Sequence, residues 1–204
     1  MPATGHGRPR GRGMRRIIVG FVLLVLGAAL GLGSAWAGLN ISLDRTATRV
    51  GAWQTPLDAG GTDRGLYTRA VVALGALLAL SRSETIYFIA RADDQGEPLR
   101  GNCTYELSGR DLPARWWSVT LYAGDHFLIA NPEQRWSFND ANLAREADGS
   151  FRLTIARDQA PGNWLPSGTA DRLVLLARLY NPQGTVATDP ATAVLPTITR
   201  KACS

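Results

Sequence analysis

Hydrophobic and polar residues follow two unlike patterns along the chain. From Ile17 to Leu39 no charged residue occurs, a run of 23 positions. A helix rises about 1.5 Å per residue, so this run reaches about 34 Å and can cross a hydrocarbon core about 30 Å thick. Beyond Ser83 the apolar residues instead recur at every second position, as in strands with one buried face. The first pattern predicts a transmembrane helix over residues 17–39, and the second predicts a mainly β domain.

Five segments carry the strand pattern clearly. Turn pairs such as Asp148-Gly149 and Asn181-Pro182 separate them. Short strands with turns at regular intervals predict an antiparallel sandwich or barrel. We expect strands over residues 85–92, 103–107, 115–122, 151–155 and 172–180, and shorter ones near 127–130 and 193–199.

A segment of mixed composition lies between the two patterns. Residues 40–62 contain several glycines and a proline, and they predict a helical or irregular stalk followed by a loop. Residues 63–80 return to three- and four-residue spacing, with Asp63 placed to cap a helix. Its apolar part is too short to cross a bilayer. We therefore expect one packed helix that leads a domain over residues 63–204.

The charge of the chain is concentrated near its N-terminus. The formal net charge is +5, with 22 basic and 17 acidic residues. Subtracting the five arginines before the apolar run leaves 17 basic against 17 acidic residues. This neutral remainder argues against a nucleic-acid partner, which requires basic residues on one face. By the positive-inside rule, residues 1–16 form a basic cytoplasmic tail and the domain is periplasmic, held at the inner membrane of a bacterium. The five arginines are Arg8, Arg10, Arg12, Arg15 and Arg16.

A cleaved signal peptide is the alternative to a permanent anchor. Ala35-Trp36-Ala37 fits the small-x-small cleavage pattern, but the apolar run is longer than the about 7–15 residues of an ordinary signal peptide. Both interpretations export the domain, and the anchor is the one we favour. Gly27 and Gly31 form a Gly-x-x-x-Gly pair, which lets membrane helices associate but is also common in helices that do not.

The two cysteines, Cys103 and Cys203, predict a disulfide. Cysteines in an oxidising compartment usually pair. The bond would close a loop of about 100 residues and fasten the C-terminus. His126 is the only histidine after the apolar run. Two cysteines and one histidine do not predict a metal site, and nothing in the sequence predicts a cofactor.

Several motifs resemble those of an uncharacterised bacterial family, domain of unknown function 1214. The first is Pro113-Ala114-Arg115-Trp116-Trp117-Ser118-Val119-Thr120-Leu121-Tyr122. Others follow in order: Asn131-Pro132, Asp148-Gly149-Ser150, Asn163-Trp164-Leu165-Pro166, Arg178-Leu179-Tyr180-Asn181-Pro182 and Leu195-Pro196. The resemblance covers residues 84–200 and implies a β-sandwich of the jelly-roll type. Longer members carry a second uncharacterised domain in front, where this chain has an anchor and a helix. The resemblance implies no particular reaction.

The aromatic strand residues suggest a ligand-binding surface. If strands 115–122 and 172–180 adjoin, Trp116, Tyr122, Arg178 and Tyr180 form an aromatic wall with one guanidinium. Such a wall suits an amphipathic ligand: a glycan, a lipid headgroup or a small acid. Trp164, in an expected loop, would line the rim of the pocket or plug the end of the sandwich. The alternative is that the aromatics fill the core and Arg178 pairs with a carboxylate.

Catalytic motifs are missing from the sequence. It contains no Gly-x-Ser-x-Gly elbow, P-loop or His-Glu-x-x-His. We expect His126 to lie in a turn, and neither Ser118 nor Ser137 has a recognisable base. We therefore expect a non-enzymatic envelope protein that binds a ligand or an envelope protein. The alternatives are a hydrolase-like enzyme with a site around Asp125, His126 and Arg178, and a purely structural role in envelope assembly.

Overall fold

The computed structural model describes residues 11–56 and 80–204, with side chains described for residues 13–38, 47–55 and 80–204. The chain divides between residues 45 and 46 into two compact units, an N-terminal helical unit and a β unit. The predicted packed helix falls on residues 63–79, which lie outside the described residues.

The N-terminal unit contains one long helix, α1 (Gly11–Thr46). Its apolar part, Gly13–Gly38, has a mean hydropathy of 2.5 and none of it is buried in the protein. By length and composition this part can cross a membrane once, either as an anchor or as a signal sequence. The helix extends beyond the predicted 17–39 at both ends.

The β unit contains ten strands and one short 3-10 helix, Pro190–Thr192. The alternating pattern predicted most of them, with ends that differ by a few residues. The strands are β1 (Ala47–Val50), β2 (Trp53–Pro56), β3 (Thr85–Ala90), β4 (Cys103–Gly109), β5 (Ala114–Ala123), β6 (Ser137–Asn139), β7 (Phe151–Ala156), β8 (Asn163–Pro166), β9 (Leu173–Pro182) and β10 (Thr197–Cys203).

The strands form two sheets. The six-stranded sheet has the order β1-β2-β3-β9-β5-β6 and all its described pairs are antiparallel. The four-stranded sheet has the order β10-β4-β7-β8, and it is mixed because β7 and β8 are parallel. The protein is therefore mainly β, as predicted.

One hydrophobic core joins the two sheets. Trp117 of β5 stacks on Phe151 of β7, with 5.6 Å between the ring centroids. Burial of large side chains from both sheets supplies the main favourable free energy of folding. The core includes Phe88, Val119, Leu121, Leu175 and Leu179 from the six-stranded sheet, and Tyr105, Leu107, Leu153, Ile155 and Ile198 from the four-stranded sheet.

Two expected irregular segments are strands. The β1–β2 hairpin lies inside residues 40–62, where we predicted a stalk and loop. Trp53 makes this hairpin part of the fold, because its side chain is buried in the core and its Nε1 donates to Pro196 O over 2.7 Å. The predicted loop at Asn163 is β8, all four residues of which are buried. A loop was therefore the wrong prediction for these two segments.

The short strand predicted near residues 127–130 is also wrong. These residues form only a single bridge, Tyr122 to Leu128. The Asn131 side chain explains why the strand does not continue. Its Nδ2 donates to Ile129 O and Arg135 O, and its Oδ1 accepts from Arg135 N, which fixes a turn.

The predicted disulfide is present. Cys103 and Cys203 are bonded, and they face each other at one end of the β4–β10 pair. The bond links positions 100 residues apart. It joins the C-terminal strand to the sheet covalently, one residue before the chain ends.

The candidate ligand-binding face of the six-stranded sheet

The six-stranded sheet has an apolar inner face and an outer face that combines polar, aromatic and aliphatic side chains. On β5, Trp117, Val119 and Leu121 point into the core. Because strand side chains alternate, the residues between them point the other way. We call this other side the outer face. It comprises Thr85, Tyr87 and Ile89 of β3, Val174, Leu176, Arg178 and Tyr180 of β9, and Trp116, Ser118, Thr120 and Tyr122 of β5.

The strand register arranges the outer face in rows. Tyr180 lies opposite Thr85 on one side and opposite Trp116 on the other. In the next row, Arg178 lies between Tyr87 and Ser118. Neighbouring strands are about 4.8 Å apart, so residues in one row are within reach of each other. Arg178 thus occupies the centre of a surface rich in hydroxyl groups.

Arg178 is held by two of those hydroxyls. Its Nη1 donates to Thr120 Oγ1 over 2.8 Å, and its Nη2 donates to Tyr122 OH over 2.6 Å. The guanidinium carbon also lies 5.8 Å from the centre of the Tyr122 ring, within the range of a cation–π contact. These contacts fix the guanidinium along the outer face instead of leaving it free in solvent.

Arg178 has no carboxylate partner among the described residues. Other arginines do form ion pairs: Arg110 with Asp148 at 3.2 Å, Arg200 with Asp93 at 3.3 Å, and Arg145 with Asp111. Arg178 is partly buried, yet its described contacts are to neutral hydroxyls. The positive charge is therefore not neutralised within the described part of the chain.

Trp116 and Tyr180 form an aromatic pair beside Arg178. Their ring centroids are 5.0 Å apart and the rings are tilted by 58°. Trp116 is 38% exposed, which is unusual for so large an apolar side chain on a strand. The pair therefore offers an aromatic surface to a ligand next to the guanidinium.

Tyr87 adds a phenol on the other side of Arg178. Burial, and next the nearby Tyr180, raise the pKa of Tyr87 above its ordinary value of 10.0, while the Arg178 charge acts in the opposite direction. The strand register accounts for these contributions, because Tyr87 lies opposite Arg178 and one row from Tyr180. At neutral pH the Tyr87 phenol is protonated and is able to donate a hydrogen bond.

Thr85 leaves a hydroxyl group without a partner. Its side chain is 2% exposed, and its Oγ1 has no hydrogen-bond partner among the described residues. A buried hydroxyl without a partner costs about 1–3 kcal/mol. Thr85 lies opposite Tyr180, in the same row as Trp116. The unpaired hydroxyl is therefore on the outer face.

The outer face contains four of the five residues predicted to bind a ligand. Trp116, Tyr122, Arg178 and Tyr180 lie together, but Trp164 does not join them. Trp164 is on β8 of the other sheet, 6% exposed, and its Nε1 donates to Ala156 O over 3.1 Å. Its register partner is Thr154, so Trp164 lies on the side of the four-stranded sheet that faces away from the shared core.

Sequence reasoning missed Thr85 and Tyr87. Both lie on the predicted strand at residues 85–92, but their role depends on the pairing of β3 with β9. That pairing joins positions about 90 residues apart in sequence, for example Tyr87 and Arg178. The signal in the sequence that could have identified them is the hydroxyl group that Thr85 and Tyr87 carry at alternate positions of this strand.

The residues considered for catalysis do not converge. His126 lies in the turn after β5 with a positive φ of 68°, and Asp125 Oδ1 accepts from Phe127 N within that turn. Burial, with a contribution from Arg91, lowers the pKa of His126. No contact among the described residues joins His126 to Arg178, Ser118 or Ser137. Within the same residues, no group of three or more histidines, cysteines or carboxylates is placed to hold a metal ion.

The two-sheet β domain described above matches a known protein family. Residues 84–184 match the model of the family described as "Protein of unknown function (DUF1214)". The chain belongs to this family, as the motifs from Pro113 to Pro182 indicated. No curated protein matches the chain.

Two crystal structures resemble this one. A protein of Vibrio parahaemolyticus matches with a TM-score of 0.58 and 20% identity, over 69% of this chain and 36% of that protein. An uncharacterised protein of Burkholderia cenocepacia matches with a TM-score of 0.41 and 18% identity, over 86% of this chain and 42% of that protein. The chain thus spans less than half the length of either. The first likeness supports the fold alone.

Proposed function

We propose that this chain is a membrane-anchored protein of the bacterial cell envelope whose periplasmic β domain binds a small amphipathic ligand without catalysing a reaction. The observation that carries the proposal is the partly buried Arg178, held among hydroxyls and aromatic rings and not neutralised by any described carboxylate. The polar and aromatic groups converge on one face, which is typical of a binding site.

The anchored, periplasmic placement rests on three features. The Gly13–Gly38 part of α1 is long and apolar enough to span a bilayer. Five arginines precede it, which favours a cytoplasmic N-terminus. The Cys103–Cys203 disulfide in the β domain is typical of an oxidising compartment.

Binding without catalysis fits the chemistry of the outer face. The described groups around Arg178 are hydroxyls and aromatic rings, and none of them is a base at neutral pH. The hydrolase-like alternative requires Asp125, His126 and Arg178 in one pocket, and no described contact brings them together. An envelope protein is the alternative ligand, with the exposed Trp116 as its anchor point.

The jelly-roll connectivity implied by the family resemblance is also part of the proposal. Its support is the way the chain alternates between the sheets, from β3 to β4, from β4 to β5, from β6 to β7 and from β8 to β9. The parallel β7–β8 pair is a departure from a purely antiparallel jelly roll. A crystal structure of the whole chain would test this connectivity.

Two measurements test the proposal. Alkaline phosphatase, which folds only in an oxidising compartment, is fused after Ser204. We expect the fused phosphatase to be active. If it is inactive and a reporter that works only in the cytosol is active at the same position, the periplasmic placement is wrong. Native mass spectrometry of the full chain from detergent micelles then looks for a bound small molecule.

The matched variants for the second measurement are Arg178→Gln and Arg152→Gln. Arg152 is an exposed arginine of β7, on the outside of the other sheet. We expect the bound species to disappear from Arg178→Gln and to remain in Arg152→Gln. If the wild type carries no ligand, or carries one that Arg178→Gln retains, the outer face is not the binding site.

A further inference from the structure

We infer that the group bound by Arg178 is a phosphate, and this inference rests on the proposed function. The guanidinium and the hydroxyls of Thr120 and Tyr122 would hold the phosphate oxygens, and Trp116 would pack against the rest of the ligand. A phosphate is common to a lipid headgroup and to a soluble phosphoester, so the chemistry is shared by both sources.

Hydrogen-bond donors are concentrated around Arg178. A guanidinium has five N–H groups, and the contacts to Thr120 and Tyr122 use two of them. Each of those hydroxyls accepts from Arg178, so its own hydrogen remains available to donate. The centre of the outer face therefore presents donors, and an oxyanion is the chemical complement of such a cluster.

The positive charge of Arg178 also favours an anionic ligand. An arginine stays protonated at every physiological pH. A partly buried cation without a counter-charge is costly. The chain pairs Arg110, Arg145 and Arg200 with carboxylates but leaves Arg178 to neutral hydroxyls within its described part. A bound anion would supply the missing charge.

The number and arrangement of these donors favour a phosphate over a carboxylate. The donors around Arg178 come from three different side chains on two strands, and a planar carboxylate offers only two oxygens to them. A phosphate group offers three or more acceptor oxygens in a tetrahedral arrangement. Arginine forks bind phosphate in a bidentate manner, which leaves the remaining oxygens for hydroxyl donors.

The outer face also has a place for the rest of the ligand. Trp116, which is 38% exposed, and the half-buried Tyr180 form an aromatic pair one row from Arg178. The unpartnered Thr85 hydroxyl, 2% exposed, lies in that same row. A buried hydroxyl without a protein partner indicates a partner supplied from outside. An amphipathic phosphoester provides both an apolar and a polar part for this row.

The experiment titrates the full chain with inorganic phosphate, in micelles of a maltoside detergent that contains no phosphate. Binding is measured by calorimetry at constant ionic strength, and acetate is titrated in the same way to represent carboxylates. We expect phosphate to bind at least about tenfold more tightly than acetate. Arg178→Gln should weaken phosphate binding by at least about tenfold, a difference of about 1.4 kcal/mol. Arg152→Gln should change it less than about twofold, since Arg152 is a solvated surface charge.

Two outcomes would overturn the inference in distinguishable ways. If acetate binds as tightly as phosphate and depends on Arg178, the phosphate class is wrong but the ligand-binding function stands. If no anion binds in a manner that depends on Arg178, the inference is wrong, and the absence of a co-purified ligand in native mass spectrometry would then remove the proposed function as well. Arg178→Lys keeps the charge without the fork, and it should retain weaker binding if the variant is folded.

A second arm identifies the source of the phosphate. The full chain is placed in nanodiscs of either phosphatidylglycerol or a phosphate-free galactolipid, and inorganic phosphate is titrated into both. If lipid headgroups occupy the site, phosphate binds more weakly in the phosphatidylglycerol nanodiscs. Equal binding in both lipids would support a soluble phosphoester.

Discussion

The outer sides of the two sheets obey the same alternation but have different chemistry. On the four-stranded sheet, Arg152 and Lys201 are exposed, and Lys201 pairs with the partly exposed Glu106 over 2.9 Å. On the six-stranded sheet, Ser118 and Thr120 are buried and Arg178 has no described carboxylate partner. Period-two alternation therefore predicts which side chains point away from the core, but not whether they are solvated or buried.

The largest expected effect concerns the four-stranded sheet. We expect Cys103→Ala with Cys203→Ala to lower the free energy of unfolding by about 2–5 kcal/mol, because the unfolded chain loses a cross-link over a long loop. Urea unfolding of the full chain in detergent measures it. Reduced wild type serves as the control and should match the double variant.

The same double variant also tests whether the two sheets act independently. The bond lies at the end of β4 and β10, and neither strand contributes to the outer face. We therefore expect ligand binding through Arg178 to survive at temperatures where the variant is folded. A loss of binding in the folded variant would show that the two sides are coupled.

A smaller effect is expected from a matched pair of threonines. Thr85→Val removes the unpartnered buried hydroxyl of the outer face, so we expect it to raise the stability of the ligand-free chain by about 1 kcal/mol. Thr154→Val alters a half-buried threonine of β7 on the other sheet and should change stability by less than about 0.5 kcal/mol. Urea unfolding compares the two. A destabilised Thr85→Val would mean that the hydroxyl already has a partner.

The next effect is on folding stability, and it is confined to alkaline solution. The pKa of Tyr87 is raised in the folded state, so folding holds the proton more tightly than the unfolded chain does. Stability is therefore fully present below the ordinary pKa of 10.0 and falls as the pH rises through the folded value. Absorbance titration of wild type against Tyr87→Phe should show a phenol that ionises above pH 10.0. If the absorbance difference between wild type and Tyr87→Phe appears at or below pH 10.0, Tyr87 is not buried as described.

The smallest effect is expected from the surface ion pair. Lys201→Ala should lower stability by less than about 1 kcal/mol, because both partners are partly exposed and screened by salt. Glu106→Ala is the matched variant, and high salt should abolish the difference between either variant and wild type. Melting curves at low and high salt measure it. A large, salt-independent loss would contradict the solvated character of this side.

Much of this fold follows from local patterns in the sequence. The alternation in residues 151–155 and 115–122 predicted β7 and β5. The presence of Cys103 and Cys203 predicted the disulfide. Strand β8 was not predicted, because all four of its residues are buried and the segment has no alternation to detect. The Asn163 side chain holds that strand, accepting from Ala144 N and donating to Ala144 O and Arg152 O, and only the folded structure brings those groups together.

The candidate site was predictable in part for the same reason. Trp116 and Tyr122 share a face of one strand, and Arg178 and Tyr180 share a face of another, which the two-residue period gives directly. Whether the two faces adjoin depends on the pairing of β5 with β9, which is long-range. The pairing of β3 with β9 is also long-range, and it places Tyr87 and Thr85 on the same face. Trp164 was misplaced because an isolated aromatic gives no information about its sheet.

The disulfide turns most of the β domain into a covalent ring. Cys103 and Cys203 enclose β5 to β9 and nearly all of β4 and β10, so every loop between them lies inside the closed circuit. A protease that cuts one of these loops leaves both pieces attached to each other and, through the residues before Cys103, to α1. A nicked molecule would keep its full mass until a reductant opened the ring.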